Sequence, residues 1–151
     1  MKIRSHAVSM RLMWLLITAA CSLALLVPAQ AASFSAADEK NVREVVQGQL
    51  DALARDDADK AFSYAAPNIR QAMGTASGFL AMVRDGYPVV YRPASVAFLK
   101  PEGQADQVIQ RVHMLDAQGE SWLAIYSLQR QPSNAWRITG CVVVKNKGRM
   151  V

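Results

Sequence analysis

Apolar residues recur every three or four positions between residues 36 and 86, which is the spacing of amphipathic helices. Ser35 followed by Asp38 is typical of a capping box, so the first helix is expected to begin there. Gly86 is expected to end the last helix in the C′ position. The helices are predicted over residues 36–55, 58–65 and 67–73, and between Thr75 and Gly86.

From Tyr87 onward the period of the apolar positions falls to two, which is typical of strands. Strands are predicted over residues 95–100, 106–115, 120–130 and 136–144, with a short extended piece at 89–91 and turns at 101–103, 116–119 and 131–134. Each of the last three strands is expected to place four alternating residues on one face. These are Val108, Gln110, Val112 and Met114 in the strand over 106–115, Trp122, Ala124, Tyr126 and Leu128 in the strand over 120–130, and Trp136, Ile138, Val142 and Val144 in the strand over 136–144. The strand over 120–130 is apolar on both faces and is therefore expected to be central. Short turns between long strands predict antiparallel pairing.

Helices followed by an antiparallel meander predict an α+β domain over residues 32–144. The N-terminal helices should cover one face of a curved antiparallel sheet of about four strands. Such a sheet, wrapped around helices, leaves a cone-shaped cavity that is open at one end.

Three segments carry a resemblance to a known family. They are FLAMVRDGYPVVYRPASVAFL (79–99), WLAIYSLQRQ (122–131) and WRITGCVVV (136–144). Together they resemble a bacterial family of exported proteins known as domain of unknown function 4864, and GYPVVYRP is the most specific part. The resemblance covers about residues 36–144. It implies a cystatin-like cone similar to ketosteroid isomerase and nuclear transport factor two, and it implies no catalytic residues.

The N-terminus has the three parts of a secretory signal peptide. Residues 1–11 carry three basic and no acidic side chains, residues 12–27 are uncharged, and Ala29-Gln30-Ala31 is a small-x-small site. We expect cleavage after Ala31 and a periplasmic or secreted product. The alternatives are retention as a membrane anchor, which would be the protein's contact with a membrane, and lipid attachment at Cys21.

The charge and the scarce ligand residues of the exported part exclude several classes of function. Loss of Lys2, Arg4 and Arg11 leaves 14 basic against 12 acidic residues, and three of the basic ones lie in a predicted flexible tail at 145–151. No clustered basic patch for a nucleic acid remains. Cys141 and His113 are each alone, so an internal disulfide and a multi-histidine or Cys/His zinc site are excluded. The chain also lacks a glycine-rich phosphate loop and the other common catalytic motifs, and we expect no metal and no cofactor.

The positions of the acidic residues argue against isomerase-type catalysis. That chemistry needs a carboxylate base inside the cone, beside a tyrosine or a neutral acid. Here the acids, Asp38 included, fall at helix ends, on polar helix faces or at hairpin ends. We interpret them as solvated caps and turns.

The remaining candidates are binding residues, each with a structural alternative. Tyr87, Tyr91 and Arg92 form the densest aromatic and basic cluster, which suits the rim of a pocket, although we favour the structural interpretation as a helix stop and an edge strand. His113 is either a general base or a hydrogen-bonded sheet histidine. Tyr126 is either a ligand contact or part of the sheet core.

Cys141 is expected to share a face with Arg137, Thr139 and Val143. The nearby arginine would favour a reactive thiolate, whereas the alternative is a small packed thiol.

The sequence therefore predicts an exported, non-enzymatic module that binds a ligand or a partner protein. The ligand is expected to be small and apolar or weakly anionic. The alternatives are an isomerase- or hydratase-type enzyme in the same cavity and a structural homodimer without a ligand.

Overall fold

A computed structural model describes residues 34–148 of the chain. Within this range five helices precede five strands: α1 (Ala36–Ala54), α2 (Ala58–Ser63), α3 (Pro67–Met73), α4 (Ala76–Gly86), α5 (Pro88–Tyr91), β1 (Ser95–Phe98), β2 (Glu102–Gln104), β3 (Gln107–Leu115), β4 (Ser121–Arg130) and β5 (Trp136–Lys145). The predicted signal peptide and the last three residues of the predicted tail lie outside the described residues. Between residues 34 and 148, no helix has the length and apolar character needed to cross a bilayer.

The strands form one antiparallel sheet in the order β1-β3-β4-β5. β2 pairs with β3 beside the segment that β1 covers, so the sheet has five strands rather than about four. The predicted α+β class is confirmed, and β4 is central as its two apolar faces indicated, because β3 and β5 flank it.

The first helix forms where its pattern predicts. Ser35 accepts a hydrogen bond from the Asp38 amide, and the Asp38 carboxylate accepts one from the Ser35 amide, which completes the capping box. The helix buries one stripe of side chains, comprising Val42, Val46, Gln49, Leu50 and Leu53. The helical layer packs this stripe against the sheet. The main core lies between the two layers.

The inward faces of the two middle strands are those predicted from the alternation. The buried positions are Val108, Gln110, Val112 and Met114 on β3, and Ala124, Tyr126 and Leu128 on β4. Residue pairs across the two strands put these positions side by side, for example Val112 opposite Ala124. The sheet therefore offers the helices a floor that is apolar except for Gln110.

The prediction of an extended piece at residues 89–91 is wrong, because these residues belong to the short helix α5. Pro88 takes the first helical position, where its fixed φ favours the helix. The Arg92 amide donates to the Pro88 carbonyl, and Val89 and Val90 are both buried. One helical turn buries two adjacent valines, whereas a strand would turn them to opposite faces.

Gly86 does not act as the predicted C′ residue. It is the last residue of α4, and its φ lies outside the left-handed region. The Tyr87 amide donates to the Val83 carbonyl, and α5 begins at the next residue. The chain passes directly from one helix into the next, so no left-handed glycine is needed.

The turn predicted at 101–103 is partly wrong, since Glu102–Gln104 is strand β2. Gly103 faces Val108 so closely that a Cβ there would lie 2.5 Å from the Gln107 carbonyl oxygen. Glycine thus permits the tight β2–β3 hairpin, which the sequence analysis took for a simple turn.

A β-bulge interrupts the pairing of β4 with β5. Leu128 pairs with Ile138 and Ser127 pairs with Gly140, so Thr139 is an extra residue on β5. An extra residue in a strand reverses the alternation of side chains beyond it.

The bulge corrects two expectations about β5. Val142 and Val144 were expected to share a face with Trp136 and Ile138, yet 59% of Val142 and 43% of Val144 is exposed. Cys141 instead packs against the core and pairs with Tyr126 in register, away from the face of Arg137 and Thr139 where it was expected. The sequence pattern carries no mark of the inserted position, because valines occupy both faces.

Candidate functional site

A cavity of about 220 Å³ lies between the helices and the sheet. Its walls come from α1, α3, α4, α5, β4 and β5 and are mostly apolar. Half-buried residues, among them Ile69, Met82 and Tyr87 on the helical side, stand where the cavity approaches solvent. The hollow between a helical layer and a curved sheet is thus present, as expected.

The β4 wall of the cavity contains Tyr126, which is 0% exposed. Its hydroxyl makes no hydrogen bond to a nitrogen or oxygen atom among the described residues, and the polar group beside it is the Cys141 thiol, a weak hydrogen-bonding partner. Burial raises the pKa of Tyr126 well above its usual value of 10, so the phenol remains neutral at physiological pH. An unpaired buried hydroxyl costs about 1–3 kcal/mol, and a ligand that accepts its hydrogen bond would recover that cost.

Cys141 lies beside this tyrosine at the edge of the cavity. The bulge turns its side chain inward, and burial raises the pKa of the Cys141 thiol to about 12. The group therefore stays a protonated thiol, a weak hydrogen-bonding group rather than a nucleophile.

The cavity walls are electrically neutral. The titratable side chains among the described lining residues are Tyr87, Tyr126 and Cys141, and none of these lining residues is a carboxylate, histidine, lysine or arginine. Such walls favour a neutral ligand, because an ion would lose its hydration without gaining a partner.

Gln49 is a wall residue that the sequence analysis missed. It lies on the buried stripe of α1, and its Nε2 donates to the Ala61 carbonyl at 3.2 Å. The signal was present in the sequence, since an amide falls three positions after Val46 on an otherwise apolar face.

Asp38 is buried, although the sequence analysis predicted that the acidic residues, Asp38 included, are solvated. It is 7% exposed and accepts hydrogen bonds from Ser35 and from Trp136 Nε1 at 3.3 Å. Arg130 lies 2.8 Å away and, as the main cause, holds the pKa of the Asp38 carboxyl well below its usual range. The end of β4 and the start of β5 cover the first turn of α1. This burial of Asp38 could not be predicted from the spacing of residues in the sequence. Asp38 is outside the cavity lining.

Tyr91 and Arg92 meet at Asp56, in the loop between α1 and α2. The Tyr91 hydroxyl donates to the Asp56 carboxylate, and Arg92 Nη2 lies 2.8 Å from Asp56 Oδ2. The hydrogen bond to Asp56 raises the pKa of Tyr91. Asp56 has a left-handed φ of 59° where α1 ends. This exposed cluster joins α5 to the helical loop and does not line the cavity.

A second cavity of about 380 Å³ separates α5 from the β3–β4 hairpin. Tyr87 lines both cavities, and Arg92 lines the second one. Trp122 forms another wall and donates from Nε1 to Asp116 at 2.8 Å. The predicted Tyr87–Arg92 cluster thus stands at this rim, where the arginine already has Asp56 as its partner.

His113 lies on the sheet face that points away from the helices. It pairs with Ala97 and Leu123 across the sheet, and its Nδ1 is 3.2 Å from Asn146 Nδ2. Of the five predicted binding residues, Tyr87 and Tyr126 share the smaller cavity, whereas His113, Tyr91 and Arg92 do not line it.

Another surface feature is an open groove of about 890 Å³ along the outer face of the sheet. Amide and hydroxyl side chains dominate its polar wall, for example Asn68, Gln107, Ser127 and Gln129. Among residues 34–148 no group of three or more metal-ligating His, Cys, Asp or Glu side chains comes together.

Comparison with known families identifies the chain. The family model described as Domain of unknown function (DUF4864) matches residues 35–151. The chain belongs to this family. The resemblance seen in the sequence over residues 36–144 is thereby confirmed.

Comparison with individual proteins adds less. No match is found among curated proteins. A solved structure, an NTF-2 like protein of unknown function from Burkholderia xenovorans LB400, is similar over 75% of this DUF4864 chain and 88% of its own. It is 13% identical to this chain, with a TM-score of 0.49.

Proposed function

We propose that this DUF4864 domain binds a small, neutral and mostly apolar ligand in the 220 Å³ cavity. The observation that carries the proposal is the Tyr126 hydroxyl, which is buried in an apolar wall and has no partner among the described residues stronger than the Cys141 thiol. Buried polar groups in folded proteins are nearly always paired, so an unpaired one beside a cavity favours a missing partner.

The size of the cavity limits the ligand. A dry cavity of about 150 Å³ accommodates benzene, and drug-sized ligands occupy about 300 Å³ or more. The volume of about 220 Å³ lies between these values and suits a single substituted ring or a short branched chain. The proposed ligand is thus smaller than a drug-sized molecule.

The polar group of the ligand follows from Tyr126. Because burial keeps the phenol protonated, it serves as a donor, and the ligand should carry an acceptor such as a carbonyl oxygen. The lining has no cationic side chain, which favours a neutral ligand over the weakly anionic one also considered from the sequence.

The isomerase or hydratase alternative is less well supported. A proton transfer in the cavity would need a base that is poised near neutral pH. Burial raises the pKa values of the wall residues Tyr126 and Cys141, so both side chains are protonated at neutral pH and neither can act as the base.

Three probes of equal size test the proposal: acetophenone, cumene and benzoate. Binding is followed by thermal shift and by isothermal titration calorimetry. We expect acetophenone to bind best, cumene more weakly and benzoate not at all. Tyr126→Phe should remove the preference for acetophenone over cumene, a loss of about fivefold to tenfold. Tyr91→Phe, which removes a hydroxyl outside the cavity, is the matched control. The proposal fails if acetophenone neither shifts the melting temperature nor gives a binding isotherm.

We also propose that the domain acts after export. The support is the order of three segments within residues 1–31, namely a basic start, an apolar stretch and a small-x-small site, which is typical of a secretory signal peptide. Mass spectrometry of the periplasmic fraction should find a chain that begins at Ala32. An intact N-terminus in the membrane fraction would favour the anchor, and a lipidated Cys21 would favour the lipoprotein alternative.

A further inference from the structure

The first half of the outer edge of β5 forms backbone hydrogen bonds with another segment of the chain, whereas no strand among residues 34–148 pairs with the second half. Near the start of the strand, the Ile138 amide donates to the Tyr64 carbonyl and the Ala66 amide donates to the Ile138 carbonyl. Ala65 therefore pairs with Ile138 as a parallel bridge. Within the described residues, no strand pairs with this edge beyond the bulge, from Cys141 to Lys145.

The direction of the open backbone groups follows from the β4–β5 ladder. The Asn146 amide donates to the Ser121 carbonyl, so Asn146 points its backbone groups toward β4. In an antiparallel ladder the groups alternate between the two sides. The amides and carbonyls of Cys141, Val143 and Lys145 therefore point outward from the sheet, and of these the Lys145 carbonyl already accepts from the Lys147 amide at 3.1 Å.

This edge lacks the protection that exposed strands ordinarily have. Edge strands are commonly blocked by proline, by charged side chains or by being very short. Residues 140–144 read Gly-Cys-Val-Val-Val, with a charge only at Lys145. Val142 and Val144 are exposed on the outer face of the same segment. An apolar, β-branched edge of this kind is suited to pairing with another strand.

We propose that a second copy of this chain pairs with this edge, β5 against β5 in antiparallel orientation about Val143. Because the Val143 backbone groups point outward, the two copies of Val143 form a hydrogen-bonded pair on a twofold axis. This register places each Val142 opposite the second copy's Val144. The two valines that β5 exposes are thereby covered by the same two valines of the other copy.

The charges along the segment also fit an identical partner. Lys145 Nζ lies 2.7 Å from Glu120 Oε1, so the positive charge at the end of the segment is already neutralised within its own chain. In the proposed register the two copies of Lys145 stand four residues apart along the ladder, about 13 Å. This distance exceeds the Debye length of about 8 Å at physiological ionic strength, and repulsion between them is weak.

A pair of engineered cysteines tests the register in a full-length chain whose Cys21 and Cys141 are changed to serine. Val143→Cys should form a disulfide-linked dimer on mild oxidation, since opposed Cα atoms of a hydrogen-bonded pair are about 5.5 Å apart. Val144→Cys is the matched control. Its counterpart lies two positions away along the ladder, beyond the roughly 7 Å limit of a disulfide. Equal cross-linking of both variants, or none of either, would overturn the proposal.

Sedimentation velocity over a range of concentrations provides an independent measurement. We expect a concentration-dependent dimer that Val143→Pro abolishes, while circular dichroism shows that the monomer still folds. Proline is tolerated there in a monomer because the lost amide points outward from the sheet. A wild-type chain that stays monomeric would contradict the proposal. So would a Val143→Pro variant that still dimerises, since that result indicates pairing through another surface.

Discussion

Asp38 Oδ1 and Arg130 Nη2 lie 2.8 Å apart and join the first turn of α1 to the end of β4. Only 10% of the Asp38 side chain and 20% of the Arg130 side chain are exposed. Asp38→Asn leaves the arginine without its counter-charge, and we expect a loss of about 2 kcal/mol in unfolding free energy. Urea denaturation at pH 7 measures the loss. Asp51→Asn, a change at an exposed position of the same helix, should cost far less.

The same pair predicts a pH dependence of stability. Arg130 and the other hydrogen-bond partners lower the pKa of Asp38 from 3.8, so ionised Asp38 stabilises the folded state above that value. The stabilisation is lost as the pH falls below 3.8 toward the pKa of the folded state. The stability difference between wild type and Asp38→Asn should be constant from pH 5 to pH 7 and shrink in more acidic solution. A difference that grows on acidification would contradict this assignment.

Tyr126→Phe should leave the ligand-free domain as stable as wild type or raise its stability by up to about 1 kcal/mol. The ring still fills the core, and the variant removes a buried hydroxyl whose partner among the described residues is at most the weak Cys141 thiol. Thermal and urea denaturation without ligand measure the effect. A loss above about 1 kcal/mol would reveal a hydrogen-bond partner for the hydroxyl in the free protein.

Two glycine substitutions should change stability in opposite directions. Gly103→Ala places a methyl group 2.5 Å from the Gln107 carbonyl oxygen, so the β2–β3 hairpin must open. We expect a loss of about 1–3 kcal/mol. Gly86→Ala meets open space at the end of a helix and should stabilise by about 0.5 kcal/mol. Chemical denaturation of both variants is the measurement, and effects of the same sign would disagree with the hairpin geometry.

Cys141 should react very slowly with iodoacetamide. Because burial raises its thiol pKa to about 12, its thiolate fraction at pH 8 is lower than that of a free cysteine by a factor on the order of a thousand. A Cys21→Ser chain is labelled in native buffer and, as a control, in denaturant. The native rate should also keep rising between pH 8 and pH 10. Rapid labelling that levels off near pH 8.5 would indicate a thiol with an ordinary pKa.

The helices and the meander were predictable because their apolar spacing is set locally. Val42, Val46 and Leu50 are buried on one helical stripe, and the buried Val112 and Met114 alternate with Arg111 and His113, so each period can be read from the sequence. The elements that were mistaken depend on distant contacts. The α5 helix replaces a strand because the fold buries Val89 and Val90 together, and β2 forms because β3 offers it a partner.

The site was predictable only in part for the same reason. Tyr126 and Tyr87 were selected as aromatic side chains, and the structure places both in the cavity lining. His113 was selected for its chemistry alone, and strand parity places it on the opposite face of the sheet. The position of Cys141 depends on the bulge at Thr139, which a run of valines does not reveal.

The bulge at Thr139 makes this point of the last strand tolerant of a change in length. Deleting Thr139 would restore regular pairing, because Leu128 would still lie opposite Ile138 and Ser127 opposite Gly140. Cys141 would keep its inward orientation and Val142 its outward one, since the bulge absorbs the extra residue without changing the pairs beyond it. Related chains that lack this residue could therefore keep the same side chains around the hollow and lose only a local bend of the strand.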